Sequence, residues 1–336
     1  MTDAVEQRNT ILNLYNSGID PEVISMELDI SQDLVMKIIR NEAREALEKS
    51  SNASPDFILN KLYLDAVIDI NSVVKESQVR TWNALKAKPD FGISFKETQN
   101  ILEKHVESKL PLVILHIDLV GSTKMSLSLP IDRLTTIIRA FAQEMSLVAS
   151  LYGGFVLKYI GDAVLAFFVV DDNDAITAGS EGRPQETFGD YTDDSNSSNS
   201  LQYGNVIGCA CTMIKVIQEG INPILNQYDY PELKVRIGID LGEVAVVQYG
   251  VDIDEYEQIV LKRPHLDLVG YTISIAVKMT SLAKPDNIVI GQKMFNKLAG
   301  SKHKQLFKQL PSNPDIWSYS SESTGGLYNL YGTNDT

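Results

Sequence analysis

Two aspartates carry the clearest chemical signal in this sequence. Asp118 closes the apolar run VILHI and Asp162 follows KYIG, 44 residues later. Each stands where a strand should meet a turn, so a sheet would bring both carboxylates to one edge. Paired hard oxygen ligands on a rigid support suit Mg²⁺ or Mn²⁺, ions that keep water and substrate phosphate oxygens as their remaining ligands. Soon after Asp118 comes Gly121-Ser122-Thr123, at the expected start of a turn or helix, where backbone N–H groups can cradle phosphates. A lone turn aspartate is commonly structural; two beside an anion cradle point to a nucleotide. The other metal-type residues add little. His105, His116, His265 and His303 show no ligand spacing, and Cys209 and Cys211 stand too close for an unstrained bridge, so they read as small buried residues. His116 reads as a core histidine, with orientation of the Asp118 carboxylate as the alternative.

The elements that must position these groups follow from periodicity. LPLVILHIDLVG (110–121) is a nearly continuous apolar run, as a buried strand with a functional tip would be. Residues 131–152 are apolar at three- and four-residue spacing, an amphipathic helix. GGFVLKYIGDAVLAFFVV (153–170) predicts two strands joined by a tight turn at Gly161-Asp162. A helix is expected over 205–222, two strands about Gly242 in LKVRIGIDLGEVAVVQYG, and another helix from about 272 to 282. DNIVIGQKMFNKL (286–298) then completes an alternating α/β layout.

Of the 336 residues, 44% are hydrophobic and 22% charged, enough for a sizeable core in about two domains with a connector. No stretch reaches the ~18 consecutive apolar residues of a membrane span, and MTDAVEQRNT lacks the basic-then-apolar order of a signal peptide. Secreted, disulfide-stapled and membrane-embedded classes are therefore excluded, and a cytoplasmic protein is expected. The net charge of −14 argues against generic binding to nucleic acid or anionic membrane. Half of that excess lies in 171–203, where eight acids face Arg183 alone. This stretch has too few apolar residues to offset the entropy of ordering and reads as a flexible acidic surface insertion.

Residues 1–45 are expected to form three short helices. Ile11, Leu12 and Leu14 mark the first. Val23, Ile24 and Met26 mark the second, from Pro21 to Leu28, and Leu34, Val35, Ile38 and Ile39 the third. Ser31 is a suitable cap, with Leu34 first on the buried face. The pattern resembles a helix-turn-helix domain. Residues 1–49 nevertheless hold ten acids and five bases, where a DNA reader shows a basic footprint. DNA is thus a disfavoured partner, and a dimerising or sensor-coupling role the alternative. Residues 46–108 read as an amphipathic helical connector (Phe57, Ile58, Leu62, Leu64, Ile68, Ile70, Leu102, Val106), interrupted at KAKPDFGIS. The α/β domain spans 109–300, and 301–336 is an extension that completes it.

From about Leu110 to Leu298 the chain resembles a class III nucleotidyl cyclase catalytic domain, through HIDLVGST, KYIGDAVLAFF, VRIGIDLGEV and DLVGYTISIAVK in order. The resemblance covers a little over half of the chain and leaves out residues 1–108. It implies a ferredoxin-like, palm-type α/β (α+β) domain, preceded here by the small all-helical one. It also implies in-line attack of a ribose 3′-hydroxyl on the α-phosphorus, with loss of pyrophosphate. Asp118 and Asp162, with the Leu119 carbonyl, would hold two divalent ions. Gly121, Ser122, Thr123 and Arg236 would meet the phosphates. Lys158 and Asp267 match the base-reading lysine and aspartate of adenylate cyclases, so ATP is the expected substrate and cyclic AMP the product.

Two other readings stand beside that one. A pyrimidine cyclase acting on CTP or UTP is the first, which retention of both Lys158 and Asp267 is taken to disfavour. The second is a helix-turn-helix regulator whose cyclase-like domain only senses a nucleotide. The GGDEF signature of diguanylate cyclases, which share the fold, is absent. Two catalytic positions depart from the family: Ser274 stands for asparagine and Lys278 for arginine, still four apart on one helix face. The resemblance therefore implies tuned rather than lost catalysis. The family's C-terminal lysine has no clear match, with Lys302 and Lys304 as candidates. The sites would lie at the interface of a symmetric homodimer.

Overall fold

The computed structural model describes residues 7–12, 14, 21–39, 66, 68–86, 93–170, 195–256, 259–311, 313–321 and 325–333. The chain divides into two compact units, Met1–Asn60 and Lys61–Thr336. Expectations for Phe57, Ile58, Leu62 and Leu64, and for residues 171–194 of the acidic stretch, lie outside the described residues.

In the first unit, helix α1 (Pro21–Glu27) is flanked by helical residues 7–12 and 32–39. Each helical stretch contributes one fully buried side chain, Ile11, Ile24 and Val35, with Leu14, Leu28, Ile30, Ile38 and Ile39 packed around them. The Ser31 Oγ accepts from the Leu34 N–H at 3.3 Å, the expected cap. Leu34 itself is 38% exposed, however. Val35 has Ile38 and Ile39 three and four residues on, and that stripe leaves Leu34 at its edge.

The second unit is built on an eight-stranded sheet. Its strands are β1 (Lys109–Leu119), β2 (Phe155–Ile160), β3 (Ala163–Val169), β4 (Val235–Tyr256), β5 (Ile259–Val269), β6 (Asn287–Gly291), β7 (Phe307–Gln309) and β8 (Leu330–Thr333). Their order is β2-β3-β1-β4-β6-β8-β7, with β5 paired to β4. Every pairing is antiparallel except β4 with β6. The helices are α2 (Ile70–Lys86), α3 (Lys96–Lys104), α4 (Ser122–Ser128), α5 (Ile131–Leu151) and α6 (Ser195–Lys215), then α7 (Asn222–Asn226), α8 (Tyr271–Leu282) and α9 (Gln292–Lys297).

Alternate β1 side chains face opposite layers. Val113, Leu115, Ile117 and Leu119 join the core made with α5 and α6. His116, on the other face, meets Thr280 of α8. Both faces are covered, which explains why β1 reads as a continuous apolar run.

Three local expectations change. The break at Gly242 is absent, and β4 runs unbroken from Val235 to Tyr256. A Cβ at Gly242 would strike the Thr272 side chain, and one at Gly238 would strike Ala276 and Thr280. These glycines are spacers that let α8 lie close on the sheet. Helix α6 begins at Ser195 rather than near 205, because burial of Gln202 and Tyr203 outweighs the weak helix propensity of its Ser/Asn-rich start. Its far end passes into a π-helical segment, Val216–Ile221.

Helix α2 belongs to the same core. Val73, Val74 and Leu85 pack into it, and Ser77 fits against Gly220, where no side chain has room. Arg80 donates from Nε and Nη2 to the two Glu144 carboxylate oxygens of α5 at 2.8 and 2.9 Å. The Glu144 side chain is 2% exposed and the Arg80 side chain 31%.

The C-terminal strands close the sheet and lock a second polar cluster. Tyr328 donates its hydroxyl proton to Asp240 Oδ1 at 2.7 Å, and the Trp317 indole N–H reaches the Tyr328 carbonyl at 2.8 Å. Burial pushes the Asp240 carboxyl up to about 7, against the opposing pull of the Tyr328 hydrogen bond. The folded chain therefore holds this proton where the unfolded chain has lost it, and stability falls as pH rises between about 4 and 7. Asp240→Asn removes that slope. Relative to wild type it should gain about 2–3 kcal/mol on going from pH 5 to pH 8, read by urea unfolding at both values. Equal responses of the two proteins would refute the assignment. Among the described residues, no helix is long and apolar enough to cross a membrane.

Candidate active site

The strand register brings the two aspartates together. Asp118, near the end of β1, lies opposite Ala163 on β3, the residue after Asp162, and opposite Arg236 at the start of β4. The turn between β2 and β3 falls at Gly161-Asp162, as expected. Gly161 has φ +63° and Gly121, which opens α4, has φ +74°. Both turns use a left-handed backbone conformation in open space, which glycine adopts without strain. Leu119 is the last residue of β1, and Ser122 and Thr123 form the first turn of α4.

Electrostatics at this edge are unbalanced toward negative. Burial raises the Asp118 carboxyl above the usual range, the neighbouring Asp162 charge raises it further, and Arg236 pulls it down. Arg236 Nη2 donates to Asp118 Oδ2 at 3.0 Å. Within one chain, then, the guanidinium expected to meet phosphate is bonded to a carboxylate. Asp162 Oδ2 and Arg236 Nε are buried without a hydrogen-bond partner. An acceptor-only carboxylate left unsatisfied beside a second one fits a divalent cation. Among the described residues, no group of three or more His, Cys, Asp or Glu is arranged to hold a metal ion.

His116 resolves as a core histidine. Its Nδ1 lies 2.9 Å from Thr280 Oγ1, and burial pushes the imidazole down to about 4, so it is neutral at physiological pH.

A second constellation forms away from the aspartate pair. Lys158 on β2 and Asp267 on β5 are 109 residues apart in sequence, yet their side chains are bonded. Asp267 Oδ1 also accepts from the Leu268 N–H at 2.8 Å. The pair is half open to solvent, at 41% and 21% side-chain exposure, so a ligand can reach it. Ser274 and Lys278 share the exposed side of α8. Lys278 Nζ lies 5.5 Å from the centroid of the Tyr319 ring. Sequence reading missed Tyr319; its only signal was the aromatic pair Trp317 and Tyr319 beside a Ser-rich stretch.

Lys304 is placed differently. It stacks over Phe295 at 4.7 Å, beyond the end of β6, whereas Arg236 pairs with Asn287 at the start of that strand. Within one chain it stands at the opposite end of the sheet from Asp118. Lys302 begins the short 3₁₀ helix there.

Residues 105–310, more than half of the chain, match the family described as the adenylate and guanylate cyclase catalytic domain. A cytidylate cyclase of Escherichia coli is 25% identical over 287 residues, covering 82% of this chain and 56% of its own length. A cytidylate cyclase of Staphylococcus aureus is 27% identical over 185 residues, covering 53% of this chain and 35% of its own length. The chain thus spans only about half, or less, of these curated relatives. Among solved structures, an adenylyl cyclase of P. aeruginosa aligns with a TM-score of 0.43 at 18% identity, over 68% of this chain and 96% of that one.

Proposed function

The chain belongs to the adenylate and guanylate cyclase catalytic domain family, and from that membership we propose that it cyclises CTP to 3′,5′-cyclic CMP with release of pyrophosphate. The observation that narrows the base to adenine or cytosine is the Lys158–Asp267 pair. It offers one N–H donor beside one carboxylate acceptor. Adenine and cytosine both present an exocyclic amine next to an unprotonated ring nitrogen, so this pair reads both alike. Guanine and uracil reverse that order and would leave buried polar groups unpaired. Retention of the pair therefore does not disfavour cytosine, and the expectation of ATP loses its ground over CTP. The similarity to two cytidylate cyclases tips the choice. ATP is the second reading, on the same pair, and UTP drops out.

In this reading the residues divide the work. Asp118, Asp162 and the Leu119 carbonyl hold two Mg²⁺ or Mn²⁺ ions, for which the unsatisfied Asp162 oxygen is the fitting feature. When bound, such ions supply activation of the 3′-oxygen and neutralisation of the triphosphate. Gly121, Ser122 and Thr123 present backbone and hydroxyl donors to the phosphates, and Arg236 keeps a positive charge beside them. Ser274 orients the ribose. Lys278 stabilises charge on the transferring phosphate as a point charge rather than a fork. The aspartates of one chain act with the base pair and α8 residues of a second, in a twofold homodimer. For the unit Met1–Asn60 a coupling or dimerising role fits its net negative charge better than DNA binding.

The test is product analysis by mass spectrometry, with the protein offered ATP, CTP, GTP and UTP separately with Mn²⁺ and then Mg²⁺. Cyclic CMP as the main product is expected. Cyclic AMP alone would transfer the assignment to ATP, and cyclic UMP or cyclic GMP would refute the role of the Lys158–Asp267 pair. No product from any nucleotide would refute the activity.

A further inference from the structure

We infer that Tyr319 is a positioning residue for Lys278, an inference that rests on the catalytic reading of that lysine. Tyr271, Ser274 and Lys278 follow each other at three- and four-residue spacing along the exposed stripe of α8. The Tyr319 ring meets both ends of this stripe. It lies edge-to-face with Tyr271, centroids 6.0 Å apart at 65°, and Lys278 Nζ lies over it at 5.5 Å. Trp317 packs on the same ring at 4.7 Å.

The ring is itself held by buried groups. The Tyr319 carbonyl accepts from the Tyr328 N–H at 2.8 Å, and the Tyr328 hydroxyl donates to Asp240 of β4 at 2.7 Å. The Trp317 indole, 6% exposed, is bonded to the Tyr328 carbonyl. A chain of contacts therefore runs from the central sheet to the ring that meets the ammonium.

An aromatic face suits this task for a physical reason. A lysine on a flexible four-carbon stem must be fixed to act as a phosphate-stabilising charge. A carboxylate partner would fix it but cancel its charge and occupy its donors. The π-face attracts the ammonium while leaving its charge uncancelled and N–H groups free for phosphate oxygens. The contribution comes from the ring and not from the hydroxyl, which separates this role from a hydrogen-bonding one.

The test is a double-mutant cycle on the full chain, with kcat and KM measured for the nucleotide that the protein cyclises. Tyr319→Leu should lower kcat about five- to tenfold with KM changed less than about twofold, whereas Tyr319→Phe should stay within about twofold of wild type. In a Lys278→Ala background, Tyr319→Leu should have no further effect. Should Tyr319→Leu fail to fold, Tyr319→Met fills the same space without a π-face and serves in its place. An undiminished kcat in Tyr319→Leu beside an impaired Lys278→Ala overturns the inference alone. So does an equal loss from Tyr319→Leu in both backgrounds. An unimpaired Lys278→Ala overturns the reading of Lys278 and the role of Tyr319 with it.

Discussion

Asp162→Asn should reduce cyclic nucleotide formation by about 10³–10⁴-fold while leaving the protein folded and slightly more stable. Asp162 is one of two carboxylates at the sheet edge, and its Oδ2 is buried without a partner. Losing it removes half of the carboxylate charge that would hold the divalent ions. Metal-supplied charge stabilisation amounts to several kcal/mol, and each 1.36 kcal/mol is a factor of ten in rate. The same substitution relieves repulsion with Asp118, so the melting temperature measured in EDTA should rise. Calorimetric titration with Mn²⁺ supplies a readout independent of turnover, and the variant should show weakened binding. Wild-type turnover in the variant, or unchanged Mn²⁺ affinity, would refute the metal assignment.

Arg80→Ala should cost about 3 kcal/mol of stability, a fall of roughly 6–12 °C in melting temperature. The Glu144 carboxylate is 2% exposed and draws two hydrogen bonds from Arg80. Removing the guanidinium strands that charge in the core, the costly way to break a buried pair. The 31% exposure of Arg80 lets water reach the site and keeps the loss at about 3 kcal/mol, the low end of the ~3–5 kcal/mol for breaking a buried pair. Replacing both partners, as Arg80→Met with Glu144→Leu, should recover most of the stability, because no unpaired charge remains. Chemical denaturation of the three variants checks this. A double variant as unstable as Arg80→Ala would show that packing, not the stranded charge, sets the cost.

The parts of this molecule that were legible in its sequence are those governed by short-range pattern. The apolar run before Asp118, the turn at Gly161-Asp162 and the helix 131–152 each advertise themselves within a dozen or so residues, and each stands where expected. The pairing of Lys158 with Asp267 was legible only through resemblance, since no local rule links positions 109 residues apart. Gly242 was misread as a turn because a glycine marks both a bend and a close approach, and only the position of Thr272 on α8 distinguishes them. The Tyr328–Asp240 bond joins residues 88 apart and the Arg80–Glu144 pair residues 64 apart. Such contacts depend on which elements the fold lays together, and neither partner carries a local sign of the other.

The seat of α2 also fixes where this cyclase-family unit can be cut and transplanted. The family match begins at residue 105, yet Val73, Val74 and Leu85 lie in the same core as α5 and the π-helical segment, and Gln78 is bonded to the Glu219 carbonyl. A graft starting at 105 would leave that apolar ground bare and the Glu144 carboxylate without its counter-charge, an invitation to aggregate. A chimaera that keeps the chain from at least residue 68 carries its own cover, so the junction with any foreign input module belongs ahead of that helix.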